Sequence, residues 1–380
     1  MTRDEQVLVP RPLHQGVAPV EQHGLDHGVS NVVDVARRIL LASLALSPLT
    51  ILLHYVAHIG GTAEFVLAAL SLIPLAWLIG EATEHAAHHT GAGIGGFLNA
   101  TFGNAPELII ALFAVSEGLE EVVRGSLTGS VVGNLLLVLG FSLLFGGRGE
   151  LDRASSFVSV GLVALAVLLF LIPALPGWDG NPERDSLVRL SLIPAVVLLL
   201  IYVGSTWYSL RRFRLMHIAA EPEEMRAWSL RLSLLVLGVA TVVTALVAEI
   251  LVGSLDSFAE KANLSDFFVA AVIVAIVGNA AEHGGAVVVA ARGKIRLAAE
   301  IALASSAQVA VFLVPAVALL SWLIDPLALS FREVEIVVLA VAAIVTAALL
   351  VDGHSSRLKG VVLILAYVGA AAAFFVAGDR

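Results

Sequence analysis

GNAPE at 103–107 and GNAAE at 278–282 set an asparagine three residues before a glutamate twice, 175 residues apart, in otherwise apolar sequence. One such phrase has an ordinary structural explanation. Asparagine bonds across helices, and the small Gly103 and Ala105 let helices approach closely. Pro106 lacks a backbone donor and releases a carbonyl one turn earlier. Repetition makes that explanation expensive, because a carboxyl group in hydrocarbon costs on the order of 3 kcal/mol by insertion scales. Glu107 and Glu282 with the amides of Asn104 and Asn279 supply oxygen donors only. Oxygen donors suit a hard divalent ion, Ca²⁺ before Mg²⁺, which gives up its water reluctantly.

The elements that would carry these residues are membrane helices. The 380-residue chain is 58% hydrophobic and 14% charged, whereas a soluble domain keeps a charged surface. It has no cysteine, so disulfides, thiolate metal sites and cysteine nucleophiles are excluded. Its net charge of −9 and lack of a basic stripe argue against nucleic acid. Apolar stretches of about 20 residues predict eleven spans: 38–58, 62–82, 95–117, 126–146, 155–175, 187–209, 229–253, 266–291, 297–323, 334–351 and 360–377. Residues 1–36 are polar and read as a tail rather than a signal peptide; 211–228 reads as a linker. With the N-terminus in the cytoplasm, only Arg124, Arg184, Arg189, Lys261, Arg332 and Arg380 of the 22 lysines and arginines fall outside, so 16 lie inside. The positive-inside rule therefore predicts an N-terminus in and a C-terminus out.

The expected fold is all-α and polytopic, with a leading helix (37–60) and two five-helix repeats, 61–210 and 229–378. Five is odd, so the repeats have opposite orientations, and each places its GNAxE phrase on its second helix. Inverted repeats meeting near the midplane are a recurrent plan of secondary transporters. Charge arithmetic supplies a mechanism. A two-carboxylate site is neutral with one Ca²⁺ or with two protons, and doubly negative when empty, which opposes its passage through a low-dielectric barrier. A site that moves only when filled exchanges one cargo for the other.

GNAPELIIALFA at 103–114, GSVVGNLLLVLG at 129–140 and VGNAAEHGGAVVVA at 277–290 resemble the Ca²⁺/H⁺ antiporters of the cation/Ca²⁺ exchanger superfamily. GEATE at 80–84, AEILVGSLD at 248–256 and ASSAQVAVFLVP at 304–315 extend the resemblance over roughly 36–378. It implies eleven helices, a central Ca²⁺ site and alternating access driven by a proton gradient, with no cofactor beyond the transported Ca²⁺ and H⁺. It makes Glu107 and Glu282 the ligands and proton carriers, with Asn104 and Asn279 in support. Ser130, Ser305, Ser306 and Gln308 would line the pathway, His283 would tune Glu282 or relay protons, and Glu81 and Glu249 would gate. Hydroxyls satisfied by their own helix, a packed histidine and solvated helix-end carboxylates are the plainer readings of these last residues.

Two departures from the family pattern stand out. EHAAHH gathers Glu84, His85, His88 and His89 near Glu81, which suggests a second metal site, a pH sensor or a solvated helix end. Ala275 stands where a proline often precedes the second motif. Na⁺/Ca²⁺ exchange and proton-coupled transport of Mn²⁺ are the alternatives within transporters. An intramembrane hydrolase lacks the aspartate pair it would need, and a sensor without flux is a third class. The expected setting is a lipid bilayer, a bacterial inner membrane, with a homo-oligomer left open.

Overall fold

The computed structural model describes residues 35–216 and 228–379. Most of the expected tail (1–34) and most of the expected linker (217–227) lie outside the described residues. Residues 35–41 are helical, and Ala42–Arg380 form one compact unit. In chain order the helices are α1 (Val35–Ala57), α2 (Gly61–Phe102), α3 (Ala105–Ser116), α4 (Glu120–Gly146), α5 (Arg153–Gly177) and α6 (Asp185–Met216). Then follow α7 (Leu230–Gly253), α8 (Leu255–Ala262), α9 (Asp266–Gly278), α10 (Ala280–Ala291), α11 (Ile295–Leu323), α12 (Glu333–Leu350) and α13 (Arg357–Ala377). The only strands among the described residues, Gly149–Glu150 (β1) and His354–Ser355 (β2), pair antiparallel and tie a connection of the first half to one of the second.

The protein is an all-helical integral membrane protein. Among the described residues nine helices are long and apolar enough to cross a bilayer, and ten if α8 and α9, bent by 110°, make one broken span. Two of the eleven expected spans, 95–117 and 266–291, carry the polar phrases, and at each phrase the helix is interrupted. α2 runs unbroken for 42 residues through the EHAAHH stretch, ends at Phe102, and α3 starts afresh at Ala105. α9 likewise ends at Gly278 and α10 begins at Ala280. The second break occurs without a proline, so Pro106 is not what the two have in common.

Beyond each break the two halves match at the spacing of the motifs. α3 at 105–116 has its counterpart in α10 at 280–291. α4 contains a π-helical stretch, Gly133–Val138, and α11 another, Val309–Leu313, at the corresponding depth. α4 and α11 are the most enclosed of the candidate spans, and the residues that line the site come largely from them. At the start of α5, Asp152 accepts from the Ser155 amide at 3.0 Å. That bond, with Arg296 nearby, holds its carboxyl below the usual carboxylate range.

Arg124, expected in an outside loop, lies within α4 and is 1% exposed. Its burial is compensated: Nη1 donates to Glu183 Oε1 at 2.6 Å and to the Ala328 carbonyl at 3.1 Å.

α4 and α9 cross at Gly129, where a β-carbon would sit 2.0 Å from the Ala271 carbonyl oxygen and 2.7 Å from the Ala275 side chain. Only hydrogen fits between the two backbones. Gly129→Ala is therefore expected to force the helices apart and destabilise the protein by about 1–3 kcal/mol, the usual cost of overpacking. Thermal unfolding of the detergent-solubilised protein checks this, and Gly161→Ala, where a β-carbon meets nothing within 4 Å, is the control.

Candidate functional site

Asn104 and Asn279 sit at the first boundary of α3 and α10, where the backbone leaves helical geometry (φ −102°, ψ 15° and φ −92°, ψ 4°). Their carbonyls accept the first bonds of the new helices, from Leu108 at 3.0 Å and His283 at 2.9 Å. Neither side chain caps its own helix. The amide of Asn279 instead donates to Ser130 Oγ on α4 at 2.8 Å and to the Ala275 carbonyl at 2.9 Å. The break thus turns the asparagine from a helix cap into a strut between the two halves.

Glu107 and Glu282 fall in the first turns of α3 and α10, where the partial positive charge of a helix start favours a carboxylate. The carbonyl ends of α2 and α9 face the opposite way at the same breaks, an arrangement that suits cations. The two phrases meet in space. Gly278 of the second packs on Glu107 of the first, so closely that a β-carbon there would stand 3.4 Å from the Glu107 Cγ and Oε1. Glu107 also lines a cavity of about 10 Å³ with Ser126, Ser130 and Ala275, room for roughly one water-sized body.

Glu282 is held differently. Ser305 Oγ on α11 donates to Glu282 Oε2 in a short hydrogen bond, and the same oxygen accepts from Asn134 Nδ2 on α4 at 3.0 Å. Because Asn134 occupies its acceptor side, the serine hydrogen is directed at the carboxylate. Ser306 donates to the Val131 carbonyl at 3.0 Å, joining α11 to α4 at positions equivalent by the repeat. Glu107 Oε2 and Asn279 Oδ1 are buried acceptors without a protein donor, and His283 Nε2 is likewise buried without a partner. A buried carboxylate oxygen without a donor, on a side chain that lines a small cavity, is an acceptor that a cation completes.

Glu107, Glu282, Asn279, Ser130, Ser305 and Ser306 are therefore brought together, with Asn104 buried at the matching break. Gln308 is half-buried at the start of the π stretch of α11, and His283 approaches Gly133 of the π stretch of α4. Glu249 is exposed on α7 and is not part of this cluster. The EHAAHH group does not gather as a metal site: among the described residues no three His, Asp or Glu side chains are placed to hold a metal ion. On a continuous helix, Glu84, His88 and His89 point to the exposed side, while His85 is buried, 3.9 Å from Glu81 and stacked on Trp228 at 4.5 Å. His89 bonds the Trp228 carbonyl at 2.6 Å.

Asn134 was not singled out by sequence reasoning. Its signal is the spacing in GSVVGN, which sets it four residues after Ser130 on one helical face.

Fold and site together define a membrane transporter whose two inverted halves share one polar centre. The chain belongs to the sodium/calcium exchanger protein family, whose model matches residues 60–211 and 232–376. It is 36% identical over 362 residues to a Ca²⁺/H⁺ antiporter of Synechocystis sp., covering 89% of this chain and 97% of the relative. It is 37% identical over 349 residues to the Ca²⁺/H⁺ antiporter ChaA of Bacillus subtilis, covering 89% and 98%. Among solved structures, native YfkE matches with a TM-score of 0.76 at 35% identity, over 89% of this chain and 99% of that one. The H⁺/Ca²⁺ exchanger CAX shares the fold at 17% identity with a TM-score of 0.69, over 90% and 92%.

Asn134→Leu removes the donor that orients Ser305. For a site that takes Ca²⁺, as proposed below, the expected result is an apparent affinity lower by about tenfold, the worth of one hydrogen bond acting on a charged group. Binding of radiolabelled Ca²⁺ to purified protein measures it, and Ser305→Ala should lose at least as much.

Proposed function

We propose that this protein exchanges Ca²⁺ for H⁺ across its membrane by alternating access, with Glu107 and Glu282 binding one Ca²⁺ or two protons in competition. The observation that carries the proposal is the convergence of the two helix breaks, which packs Gly278 on Glu107 and leaves Glu107 Oε2 and Asn279 Oδ1 buried without donors. Glu107, Glu282, Asn104 and Asn279 are the ion-binding residues in this reading. Ser130 and Ser305 hold them, while Ser306, Gln308 and His283 line the approach. The names of the relatives agree with the cargo, and paired carboxylates agree with proton coupling. A filled site is electrically neutral with either cargo, and an empty one carries two negative charges that hydrocarbon rejects. Slippage without cargo is suppressed by that charge alone, so uptake of one ion obliges release of the other. The N-terminus is cytoplasmic in this proposal, from the distribution of lysine and arginine.

Proteoliposomes loaded with Ca²⁺ and given a pH gradient, with and without Na⁺, test the exchange. Flux is expected to follow the pH gradient and to ignore Na⁺; flux that follows Na⁺ and ignores pH overturns the proposal. Glu107→Gln and Glu282→Gln each fix one wall as neutral, and each is expected to abolish exchange, by at least about 100-fold, while the protein still inserts. That figure is the rate equivalent of roughly 3 kcal/mol of lost ligand charge.

A further inference from the structure

α4 presents two opposite faces. Ser126, Ser130 and Asn134 recur every four residues on the side of the site. Arg124 and Thr128, also four apart, lie about half a turn round on the other side. That second face holds polar groups nearly sealed from solvent. Arg124 donates to Glu183 between α5 and α6 and to the Ala328 carbonyl before α12. Thr128 Oγ1 donates to Glu335 Oε1 in the first turn of α12 at 2.9 Å. Glu335 is 0% exposed, and its second oxygen accepts from the Arg332 amide at 2.7 Å.

The repeat makes this arrangement informative. At the matching positions stand Ala299 and Leu303 on α11 and Val160 on α5, all buried and apolar. Ion pairs stand near the start of both site helices, Glu121 with Arg332 at 3.8 Å and Arg124 with Glu183 on α4, Arg296 with Asp152 and with Glu300 on α11. Those of α11 hold little, because Arg296 is 62% exposed. Among the described residues, sealed ties to α12 and the connections beside it are made from α4, whereas the buried ties of α11 run through Ser305 and Ser306 to α4 itself. Apolar contacts tolerate sliding along a helix axis, whereas a buried hydrogen bond is lost if its partner shifts by an ångström or so.

We propose that Arg124, Thr128 and Glu335 form a positioning clamp that fixes the depth of α4 as one wall of the ion site. None of the three touches the ion. They act through Ser130, two residues beyond Thr128, whose bond to Asn279 fixes the second break relative to the first. The inference rests on the reading of Glu107 and Glu282 as the Ca²⁺ site.

The test compares Thr128→Val, which keeps the shape and removes the donor, with Thr128→Ser, which keeps the donor. Initial Ca²⁺ uptake into proteoliposomes is followed against Ca²⁺ concentration. Thr128→Val is expected to raise KM five- to tenfold with Vmax within twofold, and Thr128→Ser to restore the KM of the natural protein. A natural KM in Thr128→Val, or equal defects in both variants, overturns the clamp. Should valine prevent insertion, serine and cysteine at 128 give the same comparison, because a thiol is a weak donor. Glu107→Gln and Glu282→Gln are run in parallel. If they keep exchange while Thr128→Val shifts KM, the clamp stands and the paired-glutamate reading falls. If they abolish exchange and Thr128→Val is neutral, the clamp falls alone.

Discussion

A carboxylate in hydrocarbon must be neutralised, and much of this structure serves two of them. The helix breaks place Glu107 and Glu282 at the positive ends of new helices and turn Asn279 toward the other half. Ser305, oriented by Asn134, gives Glu282 a donor, while Glu107 keeps an oxygen with none. The two carboxyl groups are thus equivalent by the repeat and unequal in their surroundings. Val309 stands at the repeat position of Asn134, and the amide that Ser130 accepts comes from Asn279 instead. An exchanger built from two similar halves can in this way handle its two cargoes differently at each wall.

Close packing makes this geometry durable. Gly129 admits Ala271 against α4 at a distance that a side chain would forbid, and Gly278 lies against Glu107. Around the centre, the longer apolar helices complete the enclosure and meet the lipid. The polar ties through Arg124 and Glu335 belong to the same logic: buried charge is kept where partners from several elements converge on it. On α11 the buried ties run instead to α4 itself, through Ser305 and Ser306.

Much of this was legible in the sequence, for identifiable reasons. The all-helical membrane fold follows from composition, and the polar centre from the rarity of glutamate in apolar runs. The helix breaks were harder to read, because Asn104 and Asn279 sit in stretches apolar enough to pass as continuous spans. Pro106 hinted at one break, but nothing comparable marks the other. Asn134 escaped because an asparagine among leucines looks like a helix contact until Ser305, 171 residues away, is placed beside it. Arg124 was assigned to a loop since an isolated charge at a span's edge carries no sign of the Glu183 that pairs with it across 59 residues. The histidines of EHAAHH illustrate the converse: suggestive spacing on a helix whose exposed side simply carries most of them.

The π-helical stretches in α4 and α11 change the width of the two site walls. A π turn takes in a residue more than an α turn of the same rise. Here the widening occurs at corresponding places in both halves, just beyond the serines of the site. Each wall is thereby loosened where it passes the polar centre, and π turns are commonly found at such functional positions.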